Sequence, residues 1–366
     1  MKNTFGNNLT LTLFGESHGE AIGCVLDGMA PGIKVDRAYI DRMLTLRKPK
    51  GRISTSRHEP DNYRILSGVY EDHTTGTPIC IMIENSDFRS GDYAALNVIP
   101  RPGHADLTAG YKYHGYQDYR GGGHFSGRIT APIVAAGAIT MQALESKDIY
   151  IGTHIASMGD IKDRDFTDYI SDIESLYDRD FPVLDEAVGD KMRSYIEQAA
   201  SEGDSVGGIL RTAVIGCPAG IGEPWFDSME SMLSHAIFSI PAVKGVSFGD
   251  GFDLSKMRGS MANDPYRMSG ERVITTTNHN GGINGGITNG MPIEFSTVIK
   301  PTPSIYKEQD SVNIKENANT TLKIEGRHDP AIIHRARIVV DAMTALTVAD
   351  MLITHYGTDY LCNTDL

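Results

Sequence analysis

Three histidines stand in one glycine-rich stretch, residues 101–128: His104 within Arg-Pro-Gly-His-Ala-Asp, then His114, then His124 directly after Gly121-Gly122-Gly123. A fourth, His18, sits in the glycine-flanked turn Gly15-Glu16-Ser17-His18-Gly19 beside a carboxylate and a hydroxyl. Imidazole changes charge near neutral pH, so these groups suit the donation and acceptance of protons. Cations accompany them. Arg47, Lys48, Lys50, Arg52 and Arg57 fall in one short run of a chain whose formal net charge is −13 at pH 7. Such a run is a candidate polyanion site, with a solvated basic loop as the ordinary alternative. Further on, Lys300-Pro301-Thr302-Pro303-Ser304 places a lysine and two hydroxyls on a proline-stiffened turn that could hold a phosphate. Arg327, His328 and Asp329 follow within Gly-Arg-His-Asp-Pro.

These residues need elements to hold them. The 101–128 stretch is too poor in Val, Ile and Leu to order itself by burial, and it reads as a binding or active-site loop without clear strand or helix. Its glycines lead to Ser126, a candidate N-cap, and to an apolar helix over 129–144, a start that could bind an anion. Before it, 9–14, 21–26, 64–69 and 79–84 read as strands, and Asp36 caps a helix over 37–46. The Asp- and Glu-rich segment 160–204, with a helix over 184–200, reads as a solvated insertion carrying no chemistry. Strands are expected at 208–215 and 291–299. Asp329 at a cap position and Pro330 at the first helical position open a terminal helix over 331–353. The turn Gly28-Met-Ala-Pro-Gly-Ile33 and its following helix are echoed by Gly216-Cys-Pro-Ala-Gly-Ile221 and the helix carrying Met229, Met232 and Leu233. One domain, 1–366, is expected, with two similar α+β halves (about 1–145 and 205–355) around a pseudo-twofold.

Composition sets limits. The 366 residues are 40% hydrophobic, enough for a substantial core, and no apolar run reaches the ~18 residues needed to span a membrane. Four cysteines without a CxxC pair point to reduced thiols and the cytoplasm. An acidic molecule repels nucleic acid and anionic membranes as a whole, so an anionic ligand must be held by a local cationic patch. The histidines show no HxH or HxxxH spacing, which weighs against a metal-dependent phosphohydrolase; no metal site is expected. A non-catalytic binder of phosphorylated metabolites would need the arginines without the histidines.

At this point six motifs fall in order: FGESHG at 14–19, RPGHAD at 101–106, RGGG at 120–123, GGI at 285–287, KPT at 300–302 and GRHDP at 326–330. Together they resemble the chorismate synthase family, from Phe5 to Ile353. The resemblance implies a β-α-β sandwich and a homotetramer. The activity it implies is the anti-1,4-elimination of phosphate from 5-enolpyruvylshikimate 3-phosphate, giving chorismate, with reduced FMN required and no net redox change. By resemblance Arg47, Arg52, Arg120, Arg128 and Arg327 bind the anionic substrate. His18 serves the leaving phosphate, His104 governs protonation of the reduced flavin, and Asp329 assists proton transfer. Ser17 and Ser126 orient flavin and substrate. FMN contacts are implied at His124, Phe125, Ser126, Pro241, Ala242, Gly285, Lys300, Pro301, Thr302, Pro303, Ser304 and Arg327. The chain departs from the family's Arg-Ser-Ser-Ala-Arg-Glu-Thr pattern at His124-Phe125-Ser126-Gly127-Arg128-Ile129-Thr130. Side-chain and backbone contact at His124 and Phe125 therefore both stand open. The family reduces its flavin either with NADPH on the same protein or through an external flavin reductase. No strand–GxGxxG–helix nicotinamide fingerprint is present to choose between them.

Overall fold

The computed structural model describes residues 2–51, 53–54, 60–85, 98–324 and 328–362. Arg52, Arg57 and Arg327 lie outside the described residues. Two five-stranded sheets, antiparallel at every pairing, enclose a layer of helices, the β-α-β sandwich expected. The first sheet runs Thr4–Phe5, Thr10–Gly15, Ala21–Asp27, Ile79–Glu84, Tyr63–Ser67 across its width. The second runs Val243–Phe248, Ile293–Ile299, Gly208–Ile215, Tyr150–Met158, Ile161–Lys162.

Period-two alternation sets the inner faces. Ile22, Cys24 and Leu26 are buried beside Ile79, Ile81 and Ile83, with Ile22 opposite Ile83 and Cys24 opposite Ile81. Cys24 reaches the carbonyl of Pro132 on the central helix, Thr130–Glu145. That helix buries 14 of its 16 residues and the terminal helix, Ile333–Tyr356, buries 20 of its 24, so neither has a solvent face and both must lie inside. They touch closely. A Cβ placed on Gly137 would come within 2.3 Å of Ala342 Cβ and 2.7 Å of its Cα.

Four expectations change. The 101–128 stretch contains a helix, Asp106–Tyr113; only Ala109 in it is buried, so no apolar periodicity announced it. The 160–204 segment is more than a solvated insert. Its helix Tyr169–Tyr177 packs on Tyr150–Met158, where a Cβ on Gly152 would meet Ile173, and Phe166, Leu176, Phe181, Val183, Met192 and Ile196 are buried. The second sheet also begins at Tyr150, well before residue 205. Finally, the terminal helix starts at Ile333 with Ile332 at the cap position and no side-chain cap bond, so Asp329 is not its N-cap.

The Gly137 contact yields a test. Gly137→Ala forces the two helices apart and should cost about 1–3 kcal/mol, the usual range for overpacking. A urea unfolding midpoint equal to wild type would show that the helices do not touch there.

Candidate active site

The turn that follows Thr10–Gly15 is stitched to the glycine turn. Ser17 N–H donates to the carbonyl of Gly123 (3.2 Å), and His124 Nδ1 lies 2.8 Å from the carbonyl of Gly15. Because only a protonated Nδ1 can bond a carbonyl, this contact fixes the His124 ring on the protein's own backbone. Ser17 Oγ lies 3.1 Å from His18 Nδ1 and 3.4 Å from each of the carbonyls of Arg120 and Gly121.

Gly121 and Gly122 have φ of +59° and +88°, in the region that favours glycine. At Gly121 space demands glycine as strongly, while at Gly122 a side chain would only touch its neighbour. A Cβ on Gly121 would lie 1.8 Å from His18 Cε1, and one on Gly122 would lie 3.5 Å from His104 Cε1. The two histidines, 86 residues apart in the chain by their numbering, therefore flank successive Cα atoms of one turn. His18 is buried.

His104 Nδ1 lies 2.6 Å from Asp106 Oδ1, and Arg101 clamps the same carboxylate through Nε and Nη2, both at 2.8 Å. Burial acts to raise the Asp106 carboxyl, but hydrogen bonds from Arg101 and His104 outweigh it and hold the group well below the usual carboxylate range. Arg101 Nη1 also donates to Ser304 Oγ (3.3 Å), and Lys300 Nζ donates to the carbonyl of Gly103. The Lys300–Ser304 turn is thus tied to the His104 loop, and Lys300 N–H donates to the carbonyl of Ala242 (2.9 Å).

A cavity of about 220 Å³ opens where the central and terminal helices begin, lined by Arg47, Ser126, Arg128, Pro241, Asp329 and Arg335 among others. Neither helix start carries a side-chain cap bond. The buried Asp61 carboxylate serves two guanidiniums: its Oδ2 accepts from Arg47 Nη2 at 2.6 Å and its Oδ1 from Arg128 Nη1. Arg335 Nη2 pairs with Asp329 Oδ2 at 2.5 Å. Among the described residues three guanidiniums and two carboxylates meet here, next to two helix N-termini that favour an anion. A second cavity of about 270 Å³ adjoins the same segment, with His104, Gly122 and Phe125 among its walls and Tyr111 and Tyr119 as aromatic neighbours.

The structure gathers Arg47, Ser126, Arg128, Pro241 and Asp329 at the first cavity, and Ser17, His18, His104 and His124 around the glycine turn. Ser126 caps the short 3-10 turn Gly127–Ile129 by accepting from Arg128 N–H. Arg120 is clamped by Asp118 through two contacts of 2.8 and 2.7 Å and is half exposed. Gly285 stands apart, in the hairpin of Ile283–Asn284 with Ile287–Thr288, whose Thr288 bonds Pro218 and Ile221 rather than either cavity. Sequence reasoning missed Asp61, Arg101, Asp106 and Arg335 as site residues. Asp106 and Arg101 were signalled by the RPGHAD motif itself; Asp61 had no local signal. Among the described residues no group of three or more His, Cys, Asp or Glu side chains could hold a metal ion.

A model of the family described as chorismate synthase matches residues 9–353. This chain belongs to the chorismate synthase family. It is 46% identical to the chorismate synthase of Pyrococcus abyssi over 349 residues, covering 95% of this chain and 97% of that protein. It is also 46% identical to that of Lachnoclostridium phytofermentans over 354 residues, 96% and 95% of the two chains. A crystal structure of chorismate synthase superposes with a TM-score of 0.77 at 27% identity, covering 97% of this chain and 95% of that one. The protein is accordingly a carbon–oxygen lyase of aromatic amino-acid biosynthesis that releases phosphate from 5-enolpyruvylshikimate 3-phosphate to form chorismate. That substrate carries two carboxylates and a phosphate, which matches a cavity lined by Arg47, Arg128 and Arg335.

Charge-assisted hydrogen bonds contribute about 1.5–3 kcal/mol each, so Arg47→Ala should raise the substrate KM roughly ten- to a hundredfold. Steady-state kinetics on the folded variant checks this. An unchanged KM would make Arg47 a structural partner of Asp61 and nothing more.

Proposed function

We propose that elimination takes place between the histidine-flanked glycine turn and the arginine cavity, and that the chain holds reduced FMN there. The reading is carried by His18 and His104 meeting on adjacent glycine Cα atoms beside an arginine-lined cavity. The residues present fit the cofactor. Thr302 Oγ1, on the turn assigned to it, is shut from solvent and has no hydrogen-bond partner among the described residues, as a hydroxyl awaiting a phosphate oxygen would be. Lys300, Pro301, Thr302, Pro303 and Ser304 would hold the phosphate end, with Ser126, Pro241 and Ala242 close by, and Arg327 and Gly285 are assigned to it by resemblance alone. Reduced FMN supplies the electron density for carbon–oxygen cleavage, which no side chain can supply.

The protein's share is binding and proton control. Arg47 and Arg128, aligned by Asp61, receive substrate carboxylates, with Arg335 on the same wall; Arg52, Arg120 and Arg327 are assigned to the substrate by resemblance alone. His18 donates a proton to the departing phosphate, because a protonated phosphate leaves more easily. His104 exchanges a proton with the reduced cofactor, and Asp329, held by Arg335, assists proton transfer near the flavin. Ser17 orients His18 through its hydroxyl. We further read the protein as a cytoplasmic homotetramer whose chain is one domain of two related halves. Its flavin is reduced with NADPH on the protein or by an external flavin reductase. Among the described residues no helix is long and apolar enough to cross a membrane.

His18→Ala and His104→Ala should each lower turnover about 10²–10⁴-fold, the usual cost of losing a general acid or base, with the circular dichroism spectrum unchanged. The assay is phosphate release with and without reduced FMN, in a chelator; wild-type rates in both variants would sink the assignment. The Gly15 carbonyl engages His124 Nδ1 and anchors the ring to the protein's backbone, and we assign FMN contact at 124–126 to the backbone. FMN affinity measured from pH 6 to 8 should then give parallel curves for wild type, His124→Ala and His124→Arg. A steeper wild-type curve would return the imidazole to the cofactor.

A further inference from the structure

His104 Nδ1 has two neighbours that cannot both be its hydrogen-bond partners. Asp106 Oδ1 lies at 2.6 Å and Arg101 Nη2 at 3.0 Å. A carboxylate only accepts and a guanidinium only donates, so Nδ1 bonds the first if it carries a proton and the second if it does not. Two observations point to the first. The carboxylate contact is the shorter. The Asp106 carboxylate already accepts three bonds from Arg101 alone, from its N–H at 3.0 Å and from Nε and Nη2 at 2.8 Å each, which hold it as a fixed acceptor beside the ring. The strong depression of its pKa keeps it an ionised acceptor through the range in which imidazole titrates.

We infer that Asp106, clamped by Arg101, is a positioning residue that fixes the proton of neutral His104 on Nδ1 and leaves Nε2, beside Gly122, as the atom that exchanges protons in the site. The inference rests on the assignment of His104 to proton exchange given above. Nε2 would lie 3.7 Å from a Cβ built on Gly122, so the exchanging atom faces the glycine turn. The clamp is also tied to the Lys300–Ser304 turn, because Arg101 Nη1 donates to Ser304 Oγ at 3.3 Å. Asp106, His104 and Arg101 side chains are 13%, 19% and 8% exposed, so water competes little for these bonds. The arrangement is a carboxylate–imidazole dyad in which the carboxylate does not itself take the proton.

The test is carried out on the cofactor-free full chain. Solid-state nitrogen-15 NMR of protein labelled at histidine, with the His104→Gln spectrum subtracted, reads which ring nitrogen of His104 is protonated at about pH 8.5, where imidazole is neutral. Wild type should show protonated Nδ1 and bare Nε2. In Asp106→Asn the amide NH₂ is pushed away from the Arg101 Nε and N–H donors and turns toward His104, so the proton should move to Nε2. Turnover of that variant should fall at least about tenfold, as expected when a general acid–base group is held in the wrong tautomer, with FMN affinity and substrate KM little changed. Wild-type protein with its proton on Nε2 would overturn the inference. So would an Asp106→Asn spectrum, or turnover, equal to wild type. Full activity in His104→Gln would instead remove the assignment of His104 while leaving the tautomer result intact.

Discussion

The site depends on two helices that lie side by side with no solvent face of their own. The central helix brings Ser126, Arg128 and Thr130 to its start, and the terminal helix brings Asp329 and Arg335 to its own. Both starts open on one cavity because the helices can approach as closely as Gly137 against Ala342 permits. Two antiparallel sheets enclose the pair and hold it in register; the first is anchored by Cys24 against the carbonyl of Pro132. The terminal helix is fixed at its far end as well. Asp350 accepts N–H groups from Asn7, Asn8 and Leu9 at 2.9, 2.7 and 2.8 Å, which joins the chain's two ends.

Electrostatics explains how an acidic protein of net charge −13 handles a polyanion. Buried guanidiniums without partners would be costly, and fully paired ones would have no surplus charge to offer. Asp61, shared between Arg47 and Arg128, fixes both forks while the two side chains line the cavity. Asp61 holds this place in a left-handed conformation, φ +51°, a backbone strain that the surrounding ion pairs must sustain. Similar logic governs His104, where a carboxylate with four donors orients an imidazole rather than merely neutralising a cation.

Sequence carried the parts that depend on local pattern. The strands at 79–84 and 208–215 matched their apolar runs to the residue, and Asp36 capped its helix through the N–H groups of Ala38 and Tyr39. The glycine-flanked histidines announced the turns that meet at the candidate site, and the triple glycine announced a close approach. What sequence could not carry was pairing at a distance. Arg47 and Arg128 meet Asp61 from 14 and 67 residues away, and nothing in the spacing says so. Asp329 illustrates the converse, since Asp-Pro before a helix is good cap chemistry, yet the carboxylate turns to Arg335 instead. The buried face of 160–204 was hidden in the same way, its apolar residues interspersed with acids such as Asp172, which pairs with Arg164.

The central claim is that the cavity at the two helix starts receives the substrate's negative charge while His18 stands at its phosphate. A crystal structure of the protein with oxidised FMN and 5-enolpyruvylshikimate 3-phosphate tests it most directly. The account predicts the substrate carboxylates within hydrogen-bond distance of Arg47, Arg128 or Arg335, and the phosphate beside His18. Substrate density in the aromatic-walled cavity at Tyr111 and Tyr119, with the arginine cavity holding only water, would contradict it.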